Sequence, residues 1–115
     1  MGQPIQVNCG ARIDLQFYKG YPIVNFEFEV FNDDDTDYDF SHSSGVYLRL
    51  LAKKNGTVLA LIRMGLDSPT TNFLYLNDSG SSPSIVIQRT PRTAWFEVYS
   101  IEGVNKLLFD GVAEL

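Results

Sequence analysis

Hydrophobic and polar positions alternate with period two along most of this 115-residue chain. In residues 11–18 (ARIDLQFY), Ile13, Leu15 and Phe17 fall on one face, with Asp14 and Gln16 on the other. Residues 22–31 (PIVNFEFEVF) set Val24, Phe26, Phe28 and Val30 against Asn25, Glu27 and Glu29. This alternation predicts strands with one core face and one wet face. The KGYP between them is a turn signal. Residues 45–64 (GVYLRLLAKKNGTVLALIRM) predict a hairpin about Asn55-Gly56, the pair favoured in a type I′ turn with positive φ at both positions.

That turn would set Lys54 opposite Thr57, Leu50 opposite Leu61 and Ala52 opposite Leu59. Those leucines would share an apolar core face with Val46 and Leu48. The other face would mix Tyr47, Arg49, Leu51 and Lys53 with Val58, Ala60 and Ile62, more apolar than a solvated face usually is. Short strands are expected at 72–77 (NFLYLN) and 84–88 (SIVIQ). A last hairpin, 93–101 and 105–115, turns around Glu102-Gly103. No stretch of ten residues has a 3.6-residue period. Seven to nine short strands predict an all-β, immunoglobulin-like antiparallel β-sandwich over residues 11–115, behind an N-terminal arm of residues 1–10. The Cys-Trp-Cys signature of antibody domains is missing.

Composition narrows the function classes. A net charge of −5, with scattered Lys and Arg, argues against nucleic acid, whose binding needs clustered cations. No apolar run reaches the length of a membrane span, and the first ten residues lack the pattern of a signal peptide. Cys9 is the only cysteine, so no intrachain disulfide can form, and a reducing cytoplasm is the expected place of folding.

Five aspartates crowd FNDDDTDYDFSH: Asp33, Asp34, Asp35, Asp37 and Asp39. An EF-hand loop would need Gly where Tyr38 stands and Glu where Ser44 stands. A calcium site of another kind at a sandwich rim is the alternative to a solvated connection whose aspartates make turn bonds. His42 beside Ser41 and Ser43 makes no triad without an orienting acid and an oxyanion hole. Zinc ligands are too few, and no cofactor is expected. Glu27, Glu29, Glu97 and Asp110 are the carboxylates from which a sugar-cleaving pair could be drawn. Outward acids on strands are, however, the ordinary solvated face.

If Phe96 and Val98 fill the core, Trp95 and Tyr99 lie outside with Glu97 between them. Two readings stay open there: aromatics exposed for a sugar or a protein partner, or aromatics covering a sheet edge. With the half-apolar hairpin face they make Trp95, Tyr99, Tyr47, Leu51, Val58 and Ile62 the interface candidates.

The order of these pieces resembles a phage family, the immunoglobulin-like N-terminal domain of baseplate upper proteins. The likeness runs through IDLQFYKGYPI, the acidic loop closing on Asp39-Phe40-Ser41, VYLRLLAKKNGTVLAL and the final AWFEVYSIEGVNKLLFDGVAEL, about Ile13 to Leu115. A Gly usually follows the Asp-x-Ser/Thr triplet, and here it is His42. The resemblance implies that the Asp-Phe-Ser element starts the next strand. The family domain heads a longer fibre-bearing chain, so a chain ending here would be a stand-alone module. The resemblance implies a non-enzymatic virion protein, assembled in the host cytoplasm. It would be an adaptor or decoration binding tail, baseplate, head-fibre or capsid proteins and copies of itself, with the arm lying across a neighbour. The alternative is a carbohydrate-binding β-sandwich module built on Trp95, with or without calcium.

Overall fold

The computed structural model describes residues 5–16, 27–66, 72–76 and 92–115. Eight strands form one curled sheet, a half-barrel: β1 (Ile5–Asn8), β2 (Leu15–Gln16), β3 (Glu27–Phe31), β4 (Val46–Leu51), β5 (Val58–Leu66), β6 (Phe73–Leu76), β7 (Thr93–Ile101) and β8 (Asn105–Glu114). No helix occurs among the described residues. Across the sheet the order is β1-β3-β6-β5-β4-β7-β8-β2, with parallel pairing only at β1–β3 and β2–β8. The strand expected at 84–88, the KGYP turn, and Phe17, Val24 and Phe26 lie outside the described residues.

Successive strands β1 and β2 occupy opposite edges of the sheet. The chain changes sides between Cys9 and Gly10. Cys9 N–H donates to Phe31 O at 2.8 Å on one edge, and Gly10 N–H donates to Leu108 O at 2.7 Å near the other. Ala11 N–H closes a turn onto Asn8 O at 3.0 Å, and Gly10 takes φ +84°, which an L side chain resists. One end of the curl is thereby bridged. Residues 5–8, within the segment expected to be an arm, are a strand of the sheet.

The handover needs a second glycine. Ile13 N–H donates to Asp110 O at 2.9 Å, and Val112 N–H donates to the Asp14 carboxylate at 3.1 Å, so residues 13–14 straddle Gly111. A Cβ on Gly111 would stand 1.5 Å from the Ile13 carbonyl oxygen.

Inside the curl, Phe28, Phe40, Phe96, Phe109, Leu48, Leu50, Leu74 and Leu108 are fully buried. The Phe109 ring lies 5.1 Å from Phe28 and 6.2 Å from Phe96. Since β3 and β8 are not neighbours in the sheet, the Phe28–Phe109 contact spans the interior. Asp39-Phe40-Ser41 is a turn, and the next strand begins only at Val46. Asp39 accepts from Ser41 N–H at 2.9 Å, Ser43 N–H returns to Phe40 O at 3.0 Å, and Phe40 plugs the core.

The central hairpin corrects the expected register. Leu48 pairs Ile62, Leu50 pairs Ala60 and Leu51 pairs Val58, with a bulge at Leu59. The connection is a longer loop closed by Gly56 N–H on Lys53 O and Ala52 N–H on Thr57 O, both at 2.8 Å. Asn55 takes φ +61°, whereas Gly56 is not among the positive-φ residues, so the turn is not type I′. Ile62, Ala60 and Met64 point into the core, and Leu61 points out, 56% exposed. A one-residue slip exchanges the faces of a whole strand. The expected register would have aimed Arg63 inward opposite Leu48. Burying an unpaired guanidinium costs far more than exposing Leu61. Ile62→Ala should therefore cost about 3 kcal/mol in urea unfolding, and Leu61→Ala no more than about 0.5 kcal/mol. The reverse order would restore the two-residue turn.

Candidate functional site

Strands β4 and β7 run side by side through the middle of the sheet, and their outward positions form three cross-strand pairs: Tyr47–Tyr99, Arg49–Glu97 and Leu51–Trp95. The tyrosine rings stack at 5.9 Å. Arg49 Nε donates to Glu97 Oε1 at 2.6 Å, and its guanidinium lies 5.2 Å from the Tyr99 ring centre. Arg63, opposite Tyr47 on β5, lies 6.0 Å from that ring. Cations over aromatic faces hold both groups in place. Glu97 is nearly buried at 9% exposure, and its charge is answered by Arg49 rather than by water.

Trp95 is on the outer face yet only 8% exposed, and its partner Leu51 is 3% exposed. Arg12 and Lys54 stand 5.4 and 5.3 Å from the indole centre. The Trp95 Nε1–H is buried without an acceptor, and no other side-chain polar atom among the described residues is so placed. Leaving a buried donor unmet costs about 1–3 kcal/mol.

Exposed aliphatics flank this row. Leu61 lies beside Arg49 on β5 and Leu107 beside Tyr99 on β8, with Val58 near the β4–β5 loop. Of the six interface candidates, Tyr47 and Tyr99 are half-buried, Val58 is exposed, and Leu51 and Trp95 are buried on the outer face. Ile62 is in the core, for the register reason above, and does not belong to this face. The sequence reading missed Leu61 and Leu107. Arg63 carried the signal for Leu61, because the two share one alternation.

The aspartate loop is held by turn bonds. Asp34 accepts from the Thr36 N–H and hydroxyl, and Asp35 accepts from Asn8 Nδ2 at 3.0 Å. These bonds, Thr36 at Asp34 and Ser41 at Asp39, hold both carboxyls below the usual carboxylate range. Among the described residues no three His, Cys, Asp or Glu are grouped to hold a metal ion. His42 is exposed, 4.0 Å from Asp39. Cys9 lines an open groove of about 600 Å3 with Asn32, Asp33, Asp34 and Lys106, and burial pushes its thiol pKa up.

Behind the loop, the buried Tyr38 hydroxyl donates to Glu102 Oε2, with Lys106 Nζ 5.0 Å from the ring. Burial first, and then the Glu102 bond, raise the tyrosine pKa well above its ordinary 10.0. The fold prefers the neutral phenol, so this contribution is complete below pH 10.0 and is lost as pH climbs toward the raised value. Melting temperature should fall above pH 10.0, and Tyr38→Phe should flatten that alkaline fall. An unchanged alkaline limb in the variant would remove Tyr38 as its source.

Compared with protein-family models and with curated proteins, the sequence matches none.

Proposed function

We propose that this chain is a non-enzymatic structural protein of a bacteriophage virion. In this reading it is an adaptor or decoration module that docks tail, baseplate, head-fibre or capsid proteins, and copies of itself, through the outer face of β5, β4, β7 and β8. The observation that carries the docking role is the row Tyr47–Tyr99, Arg49–Glu97, Leu51–Trp95, held rigid by stacking and ion pairing and flanked by exposed Leu61, Val58 and Leu107. Pre-ordered aromatics and arginines within an aliphatic surround are what tight protein contacts use, because little side-chain entropy remains to be lost on binding. The virion setting, and assembly in the host cytoplasm, rest on the motif order that resembles baseplate upper protein domains.

In the same reading the curled sheet is an immunoglobulin-like sandwich. Its support is the N-terminal segment that serves β3 on one side and β8 on the other, and the Phe28–Phe109 contact across the interior. Burial of Trp95 beneath two cations leaves a sugar little ring face to stack on, which favours a protein partner over a glycan.

The test is the copy number of this polypeptide in purified particles from its source, measured by quantitative mass spectrometry against the major capsid protein. A low count matching a ring is expected of an adaptor, and a count tracking the capsid lattice is expected of a decoration. Absence from particles would overturn the virion reading.

A further inference from the structure

The Trp95 corner and the aspartate loop are complementary, and they lie at opposite ends of the molecule. At the first, a buried indole N–H lacks an acceptor while Arg12 and Lys54 both stand within 5.4 Å of the ring centre. Arg12 has Asp14 at 3.5 Å, but Lys54 has no acid within 4.0 Å among the described residues. Two cations over one ring, Lys54 without an acid of its own, are charges that a carboxylate can answer, and the unmet indole N–H belongs to the same side chain. Both basic side chains are long and exposed, so they can part to admit one.

At the second, five exposed or semi-exposed aspartates crowd a chain whose net charge is −5. Turn bonds occupy Asp34 and Asp39, Asp35 accepts from Asn8 Nδ2 on β1, and Asp37 accepts from Asn72 Nδ2 at 3.4 Å. Asp33 makes no side-chain hydrogen bond to a described residue and is exposed. The loop is anchored beside the β7–β8 turn through Tyr38 and Glu102. The Trp95 corner lies by the β4–β5 loop, near the start of β7. The seven residues of strand from Trp95 to Glu102 separate the two ends by about 23 Å. No chain can therefore fill its own corner.

We propose that the Trp95 corner is a carboxylate-binding site and that the aspartate loop of a second copy, led by Asp33, fills it, joining copies head to tail. The two surfaces differ, so the contact is heterologous and repeats into a ring or an open filament rather than stopping at a two-fold dimer. This deepens the reading of the outer face as a docking surface by naming one partner, and does not depend on where the assembly is found.

Sedimentation velocity and native mass spectrometry of the full chain, up to millimolar concentration and at low and high salt, test it. The unaltered chain should associate with concentration, and more weakly in high salt. Lys54→Glu and Asp33→Lys, both at exposed positions, should keep the melting temperature and each weaken association roughly tenfold or more. An equimolar mixture of the two variants should associate again, because the intact loop of one meets the intact corner of the other and the two reversed charges also face each other. A chain that stays monomeric overturns the proposal, as does association indifferent to both variants, or a mixture that stays monomeric. None of these outcomes alters the particle copy number, so failure here and failure of the virion reading are read separately.

Discussion

Gly111→Ala is expected to be the most damaging single methyl group this fold can receive. The added Cβ would sit 1.5 Å from the Ile13 carbonyl oxygen and 2.6 Å from its carbon, backbone atoms that cannot swing aside. Residues 13–14 would have to lift from β8, giving up the Ile13 N–H to Asp110 bond and the Val112 N–H to Asp14 bond. Leu15, which pairs with Ala113 and is buried, would be drawn out as well. Overpacking and the lost bonds together should cost about 4 kcal/mol. That corresponds to a fall in melting temperature of about 15 °C for a domain of this size. Hydrogen exchange should place the damage: the amides of Gly10, Ile13 and Val112 should exchange fast while those of Phe96 and Val98 stay protected. Gly65→Ala is the control. Its Cβ would meet the Tyr75 ring at 2.2 Å, but that side chain is 39% exposed and can rotate away, so the cost should be about 1 kcal/mol. If the two alanines cost the same, the N-terminal segment does not cross β8 at Gly111.

Phe109→Ala should cost about 4 kcal/mol for a different reason. The ring is the tie between Phe28 on β3 and Phe96 on β7, and it meets Phe28 across the interior rather than along the sheet. Neither partner can close the cavity without uncurling strands that are already hydrogen-bonded. Phe109→Leu, which refills most of the volume, should cost about 1.5 kcal/mol. Urea unfolding with an unchanged m-value checks both. Equal costs for the two variants would mean that the curl is not held by this ring.

The sequence predicts the bounds of both arms of the last hairpin closely, although a bulge at Leu108 interrupts the alternation of β8. β7 has the expected bounds, 93–101, and Gly103 takes the positive φ that a turn at Glu102-Gly103 asks of it. Phe28, Val30, Leu48 and Leu50 are legible as core from the alternation of their strands, whereas the alternation of β7 leaves its inward face open and the structure buries Phe96 and Val98. The β4–β5 hairpin is where local reasoning failed. Asn55-Gly56 is a strong signal for a two-residue turn, yet the loop is longer and a bulge absorbs Leu59. The turn preference is worth less than keeping Arg63 out of the core, and that comparison needs the whole strand rather than its tip. The candidate face was half legible: Tyr47, Tyr99 and Glu97 follow from period two, but Ile62 was assigned to the wrong side.

By itself, then, the sequence determined that this is an all-β chain, which residues of β2, β3 and β4 face inward, and that aspartates suited to turn bonds crowd one connection. These are properties of neighbours along the chain, set by the two-residue period and by short side chains bonding nearby amides. Tertiary structure alone decided that the curled sheet is bridged through Gly10 and over Gly111. It also decided that Arg12 and Lys54, far apart in sequence, both stand over Trp95, and that its indole N–H has no acceptor. The facing of a residue is a local property. The group it meets depends on how distant strands close on one another, where packing and the cost of buried polar groups choose among arrangements that local pattern leaves equal.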